Sequence, residues 1–131
     1  MILKNSAIAF GIIFLLVGIL GFIPAAAPNE MLLGIFHVNA AHNGVHLLSG
    51  AVALACGLAG ARASRMYFRI FGVVYGLVAV LGLIQGDGHL LGVISNNAAV
   101  TWLHVAISVA ALFLGFGVRE SGTSATRATA I

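Results

Sequence analysis

The stretches LLGIFHVNAAHNGVH at residues 32–46 and LLGVISNNAAVTWLH at residues 90–104 decide the fold of this chain. They share seven of fifteen residues: Leu-Leu-Gly at the start, Asn-Ala-Ala in the middle and the final histidine. Upstream, residues 11–23 and 72–84 share six of thirteen residues. The sequence therefore predicts two repeated units, at residues 5–60 and 67–118, that carry a histidine at the same place.

The composition predicts a membrane protein. Of the 131 residues, 61% are hydrophobic and 7% are charged, whereas soluble domains carry about 25% charged residues. Four stretches, at residues 5–23, 39–60, 67–85 and 97–118, approach the ~20 residues that a helix needs to cross a bilayer. We expect an all-α integral membrane protein. Its four transmembrane helices, built from two parallel-repeat helical hairpins, would form a four-helix bundle over residues 1–118.

The basic residues predict the orientation. All six lie before the first span, at the junction of the second and third, or after the fourth: Lys4, Arg62, Arg65, Arg69, Arg119 and Arg127. The positive-inside rule makes that side cytoplasmic, so we expect a cytoplasmic (inner) membrane protein with both termini in the cytoplasm and residues 119–131 as a flexible cytoplasmic tail. A cleaved signal peptide is the alternative for the first span, but its repeat partner lies inside the chain.

Small and polar residues mark one face of the second and fourth spans. Asn39 and Asn97 precede these spans at matching repeat positions, where we expect them to cap the helices. The two faces are expected to line the centre of the bundle. Their residues recur at spacings of three and four: His42, His46, Ser49, Ala53 and Gly57 in one span, and Thr101, His104, Ser108, Ala111 and Gly115 in the other.

The histidines are the candidate site. His46 and His104 lie seven residues after their caps, or about 10 Å deeper, and His42 lies one turn above His46. His46 and His104 suit haem or another tetrapyrrole as axial ligands, and all three suit zinc or copper. Proton transfer and binding of a quinone head group are further alternatives. The structural alternative is that His46 and His104 hydrogen-bond each other, Asn43, Thr101 or Ser108. His37 and His89 are predicted in solvated loops.

Residues 32–50, together with residues 71–76, Asn97-Ala98-Ala99 and Trp102-Leu103-His104, resemble the signature of a family of small bacterial four-helix membrane proteins, DUF4383. The resemblance covers residues 7–117. It implies four spans in a bacterial membrane and supplies no catalytic residues. In the second unit Val100 replaces His42, so a site that contains His42 is asymmetric.

The sequence predicts a non-enzymatic protein, because no nucleophile–base pair and no nucleotide-binding loop is visible. We expect an accessory or structural subunit that packs within a larger membrane complex or a homo-oligomer. Its expected partners are the lipid bilayer and other membrane subunits or itself. The scattered basic residues form no patch that would bind nucleic acid. The haem, pigment and metal sites described above are the alternatives to a purely structural role.

Overall fold

The computed structural model describes residues 1–120, and most of these residues are helical. The helices are α1 (Ile2–Leu20), α2 (Ala40–Ala59), α3 (Ala61–Gln85) and α4 (Ala98–Leu112), and α4 continues into a π-helical turn at Phe113–Gly117. The predicted helical fold is confirmed. The predicted tail at 119–131 lies, from residue 121 onward, outside the described residues.

Three helices are suited to a membrane. α1, α3 and α4 with its π-helical turn are long and apolar enough to cross a bilayer. α2 has a comparable length of 20 residues, but the histidines and the asparagine in its first two turns lower its hydropathy. His42, Asn43 and His46 are 5%, 3% and 4% exposed, so these polar side chains are covered by the rest of the protein. The fourth predicted span, α2, stays a prediction.

The junction between α2 and α3 is shorter than predicted. The bounds of α2 agree with the sequence analysis, with Asn39 and Gly60 as its flanking caps. The predicted start of the next span at residue 67 is too late, because α3 begins at Ala61, directly after Gly60. Gly60 has a φ of 127°, a conformation that favours glycine. Arginine is a good helix former, and the arginines assigned to a connector lie on the first turns of α3.

The end of the helices beside this junction, called here the arginine end, is held by side chains that bind backbone groups. Arg65 Nη1 donates to the carbonyl of Val118 over 2.8 Å, and Arg69 Nε donates to the carbonyl of Gly115 over 2.8 Å. The carboxylate of Glu120 accepts hydrogen bonds from the N-terminal amine and from the Leu3 N–H. These bonds lower the pKa of Glu120, and they join the start of α1 to the segment after α4.

Two short β-hairpins form the opposite end, called here the hairpin end. In the first, β1 (Met31–Leu32) pairs with β2 (Phe36–His37); in the second, β3 (Gly88–Leu90) pairs with β4 (Ile94–Asn96). The sequence analysis did not predict these strands. The repeated Leu-Leu-Gly makes the turns: Leu33 and Gly34 have φ values of 55° and 71°, and Leu91 and Gly92 have 53° and 75°. Turns with two consecutive positive φ values suit tight hairpins.

Two asparagines lock the hairpins to the helices. Asn39 Oδ1 accepts from the backbone N–H of His42 at 2.9 Å, and Asn97 Oδ1 accepts from that of Val100 at 3.0 Å. The predicted helix caps are thus confirmed. Each side chain also crosses to the other hairpin, with Asn39 Nδ2 donating to the carbonyl of Val93 at 2.8 Å and Asn97 Nδ2 to that of Ile35 at 2.9 Å. We call these four bonds the asparagine clasp.

An aromatic cluster joins α1 to α3 below the hairpin end. Phe14 meets Phe71 edge to face with ring centroids 5.4 Å apart, and Phe71 stacks on Tyr75 at 4.1 Å. Phe10 and Phe68 extend the cluster toward the arginine end at 5.1 Å. Such ring pairs add about 0.5–1.5 kcal/mol each beyond burial of their area. They hold the first pair of helices, α1 and α2, against the second.

Glycines let the helices of each pair approach closely. A Cβ built on Gly50 of α2 would lie 2.8 Å from the backbone nitrogen of Leu15 and 2.9 Å from the carbonyl oxygen of Gly11, both in α1. Gly57 faces Ile8 of α1 in the same way, and Gly115 faces Arg69 of α3. Of the residues predicted to line the centre, Gly57 and Gly115 instead face the other helix of their own pair. These glycines lie where the backbones of the two helices of a pair approach each other most closely.

We expect Gly50→Ala to destabilise the protein by about 1–3 kcal/mol, because the added methyl group collides with the backbone of α1. Gly44→Ala in the same helix is the matched control, since nothing lies within 4 Å of a Cβ at Gly44. An exposed helical glycine gains about 0.5–1 kcal/mol on substitution by alanine. Thermal unfolding in detergent followed by circular dichroism measures both. Equal stabilities of the two variants would contradict this packing.

Candidate functional site

Three buried histidines from two helices converge below the hairpin end. His42 and His46 lie one turn apart on α2, and His104 comes from α4; their exposed fractions are 5%, 4% and 5%. One ring nitrogen from each lies within 4.8 Å of the other two. The structure thus brings together all three residues predicted as metal ligands, and with them the two predicted as haem ligands. We call this cluster the histidine triad.

The second hairpin holds the ring of His42. Its Nδ1 lies 3.0 Å from the carbonyl oxygen of Ser95 in β4, and because a carbonyl oxygen only accepts, Nδ1 carries the proton. The backbone N–H of Ser95 in turn approaches Asn39 Oδ1 at 3.4 Å. The asparagine clasp and β4 therefore orient an imidazole on α2 through a hydrogen bond to a residue more than 50 positions later in the chain.

The proton on His42 Nδ1 fixes the state of His46. The Nε2 atoms of the two rings are 2.9 Å apart, which requires one donor and one acceptor. A charged imidazole is costly in apolar surroundings, so a neutral His42 has a bare Nε2 that accepts from the Nε2–H of His46. A neutral His46 then has a bare Nδ1. That atom is buried without a hydrogen-bond partner within the described residues, and so is Nδ1 of His104.

Aromatic rings cover the triad on two sides. Phe14 of α1 stacks on His46 with centroids 4.9 Å apart and planes 18° from parallel. Tyr75 of α3 meets His104 edge to face at 5.2 Å. The ring of His42 stacks on His46 at 4.7 Å and lies 5.9 Å from His104. The triad is thus enclosed by all four helices and is shielded from water by the hairpins above it.

The structural alternative predicted hydrogen bonds from His46 and His104 to each other or to nearby polar side chains, but Thr101 and Ser108 bond other groups. The rings of His46 and His104 are 6.5 Å apart and make no hydrogen bond to each other. Thr101 bonds Asn96 at 3.0 Å, and Ser108 donates to the carbonyl of Gly72 at 2.8 Å. The hydrogen bond from His42 to the carbonyl of Ser95 joins the triad to the second hairpin. Sequence reasoning missed Ser95, which occupies the repeat position of His37.

The two remaining histidines lie outside the triad, on the hairpins. His37 is on β2 and His89 on β3, with ring centroids 5.9 Å apart. His37 Nε2 is 3.9 Å from a carboxylate oxygen of Glu30, which is too long for a hydrogen bond. His89 is exposed. They supply matched histidines for experiments on the buried three.

The space around the triad is small. Two cavities, of about 100 and 70 Å³, each border all three histidines. Both are smaller than the ~150 Å³ cavity that holds a benzene ring, and a tetrapyrrole is far larger than benzene. The ring of His42 also lies beside both His46 and His104. The geometry therefore suits a single ion better than the predicted haem or pigment.

Comparison with known proteins gives one match. The family model described as "Domain of unknown function (DUF4383)" matches residues 4–117, which is most of the chain and includes the hairpins and the triad. No curated protein and no solved structure matches the chain.

The network predicts where each histidine carries its proton. In metal-free protein labelled with ¹⁵N-histidine, we expect His42 protonated at Nδ1 and His46 protonated at Nε2, as seen in two-dimensional correlation spectra of the ring nitrogens. The variants His42→Gln and His46→Gln assign the signals, and a background lacking His37 and His89 simplifies the spectra. A proton on Nδ1 of His46 would show that the hydrogen bonds run in the opposite direction.

Proposed function

Because this chain belongs to the DUF4383 family, whose description assigns no function, we propose a function from its buried site: a non-enzymatic membrane protein that binds one zinc or copper ion through His42, His46 and His104. The convergence of these three ring nitrogens to within 4.8 Å carries the proposal. Imidazole nitrogen suits both metals.

The distances favour coordination after small movements of the side chains. Tetrahedral zinc with Zn–N bonds of about 2.0–2.1 Å separates its ligand nitrogens by about 3.3–3.4 Å. The Nε2 atoms of His42 and His46 are 2.9 Å apart, so a bound ion would replace their hydrogen bond and move them apart slightly. Three ligands leave a fourth position for water or another donor.

The surroundings of His42 support the same proposal. Metal-bound histidines usually donate their other ring N–H to a carbonyl or carboxylate, which fixes the ring and its tautomer. His42 does so through Nδ1 and the carbonyl of Ser95, which leaves Nε2 free to face the triad. Nδ1 of His104 is buried without a partner within the described residues, and this also supports a missing ligand, because buried polar atoms normally have a partner and exceptions require an explanation.

A catalytic role has no such support. Within residues 1–120, the hydrogen bonds of the triad join His42 to His46 and to a backbone carbonyl, and none reaches a nucleophile or a carboxylate. The accessory or structural role predicted from the sequence stays a prediction. Exposed aliphatic side chains such as Ile12, Leu48, Leu77 and Val109 are explained as well by lipid as by a partner subunit.

We further propose that α2 is a fourth span and that the chain is a duplicated helical hairpin with both termini in the cytoplasm of a bacterium. Twenty residues of α2 extend about 30 Å, which matches the hydrocarbon core. Asn39 and Asn97 have nearly the same torsions, with φ of −145° at both and ψ of 179° and 177°. Within residues 1–120, the basic side chains lie at the arginine end, and the hairpin end holds Glu30 and Asp87.

Metal analysis of the purified protein tests the site. We expect one zinc or copper ion per chain. Each of the variants His42→Gln, His46→Gln and His104→Gln should lose affinity for the ion. The loss should exceed the ~10–100-fold that follows removal of a hydrogen-bond partner of a metal ligand. His37→Gln and His89→Gln are the matched controls and should bind normally. The proposal fails if no ion binds above the level of the triple variant, or if the controls lose as much affinity.

Cysteine labelling in intact bacterial cells tests the topology. In a Cys56→Ala background, a membrane-impermeant maleimide should label Asn29→Cys and Asp87→Cys at the hairpin end. Arg62→Cys at the arginine end should react only after the membrane is permeabilised. Labelling of Arg62→Cys in intact cells, or different accessibility of the two hairpins, would exclude the proposed arrangement of α2.

A further inference from the structure

An apolar groove of about 420 Å³ runs along the outer surface between α2 and α3. Its floor is buried and aromatic: Tyr67, Phe71 and Tyr75 of α3 are 7%, 6% and 4% exposed. Its rims are exposed apolar side chains of both helices: Leu48, Val52, Met66 and Ile70. We call this space the α2–α3 groove.

The polar atoms in the floor of the groove are bonded within the protein. Tyr67 OH donates to the carbonyl of Ser49 at 3.0 Å, and the hydroxyl groups of Ser49 and Tyr75 are 3.2 Å apart. Within residues 1–120, no buried nitrogen or oxygen of these side chains lacks a partner. The groove therefore suits an alkyl chain and offers little to a ligand that needs hydrogen bonds.

The dimensions of the groove match one acyl chain in one leaflet of a bilayer. The lining extends over residues 45–56 of α2 and 63–75 of α3, which is about 16–18 Å at 1.5 Å per residue. One leaflet provides about 15 Å of the ~30 Å hydrocarbon core. Because a cavity of ~150 Å³ holds the six carbon atoms of benzene, the volume of the groove suffices for roughly 16 alkyl carbon atoms.

The position of the groove selects the leaflet at the arginine end. Ala63 is the first residue of α3 in the lining, and α3 begins only two residues earlier, at Ala61. Tyr75 is the last residue of α3 in the lining, and ten more residues of the helix follow it, up to Gln85. A lipid whose chain fills this groove therefore has its head group at the arginine end.

One basic side chain is available for that head group. Arg62 is exposed and has no ion pair within residues 1–120, whereas Arg65 and Arg69 donate to backbone carbonyls. Arg62 lies four and eight residues before Met66 and Ile70, and so it shares their face of α3. A helical side chain leans toward the start of its helix, which directs that of Arg62 away from the groove and toward the membrane surface.

We propose that the α2–α3 groove binds one acyl chain of an anionic phospholipid and that Arg62 binds its phosphate group. A guanidinium pairs well with phosphate oxygens, and the acyl chain covers the apolar wall. A second copy of this chain in the same orientation fits less well, because it would bring a second Arg62 to the same depth, where like charges repel. The inference rests on the proposed span α2 and is independent of the proposed ion.

Native mass spectrometry of the full-length protein in detergent tests the head group, with phosphatidylglycerol and phosphatidylcholine of identical acyl chains as the probes. We expect one phosphatidylglycerol per chain, bound about fivefold more tightly than phosphatidylcholine. A fivefold change corresponds to about 1 kcal/mol, the attraction of one basic side chain to an anionic lipid surface. Equal affinities for the two lipids would overturn the proposal.

Charge variants locate the head group. Arg62→Gln should remove the preference for phosphatidylglycerol. Arg119→Gln is the matched control, because it removes the same charge from an exposed residue at the same end, in the segment after α4, and it should keep the preference. A preference that survives in Arg62→Gln, or that both variants lose equally, would contradict binding by Arg62.

Variants that fill the groove locate the acyl chain. Val52→Trp from α2 and Ile70→Trp from α3 should each weaken binding of phosphatidylglycerol at least tenfold while the protein keeps its thermal stability. Leu77→Trp is the matched control, because Leu77 is 67% exposed on the same helix and lies outside the groove. Lipid binding that survives both filling variants would overturn the proposal, and so would a dimer that forms without lipid and is lost in these variants.

Discussion

Polar groups placed within apolar helices must find partners inside the protein, and this constraint organises the hairpin end. Water does not reach the side chains buried beneath the hairpins, such as His42 and His46, and buried polar groups normally bond within the protein. Asn39 and Asn97 each use the side-chain oxygen to cap a helix and the side-chain nitrogen to bind a carbonyl of the opposite hairpin. The clasp places Ser95 where its carbonyl meets His42. The geometry of the triad therefore depends on two amides outside it.

Much of this arrangement could be predicted from the sequence, because its causes are local. An asparagine before an apolar stretch caps a helix regardless of what packs around it, and α2 indeed begins directly after Asn39. Recurrence of a histidine at a spacing of four and at the repeat position predicted three imidazoles within one helical turn of each other. The strands escaped prediction because they are two or three residues long, too short for an alternating pattern. The bond from His42 to Ser95 depends on those strands.

Two departures from the repeat give the site its asymmetry. Where the first unit has His42, the second has Val100, and where the first has His37, the second has Ser95. Val100 is 1% exposed and fills its place as an apolar side chain. Ser95 is fully buried, and its backbone carbonyl serves the histidine of the other unit. A strict repeat would present four imidazoles at this depth, whereas this chain presents three, which is the number that leaves a coordinating ion one open position.

His46 links the proposed ion site to the hydrogen bonds of the triad through the position of one proton. In the hydrogen-bonded triad the proton is on Nε2, which donates to Nε2 of His42, and Nδ1 is an acceptor without a partner among the described residues. An ion bound at Nε2 of a neutral imidazole requires the proton to move to Nδ1, because an imidazole carries a single proton when it is neutral. Binding of the ion therefore breaks the hydrogen bond between the two rings and changes the tautomer of His46, whereas His42 keeps its proton on Nδ1 through the carbonyl of Ser95.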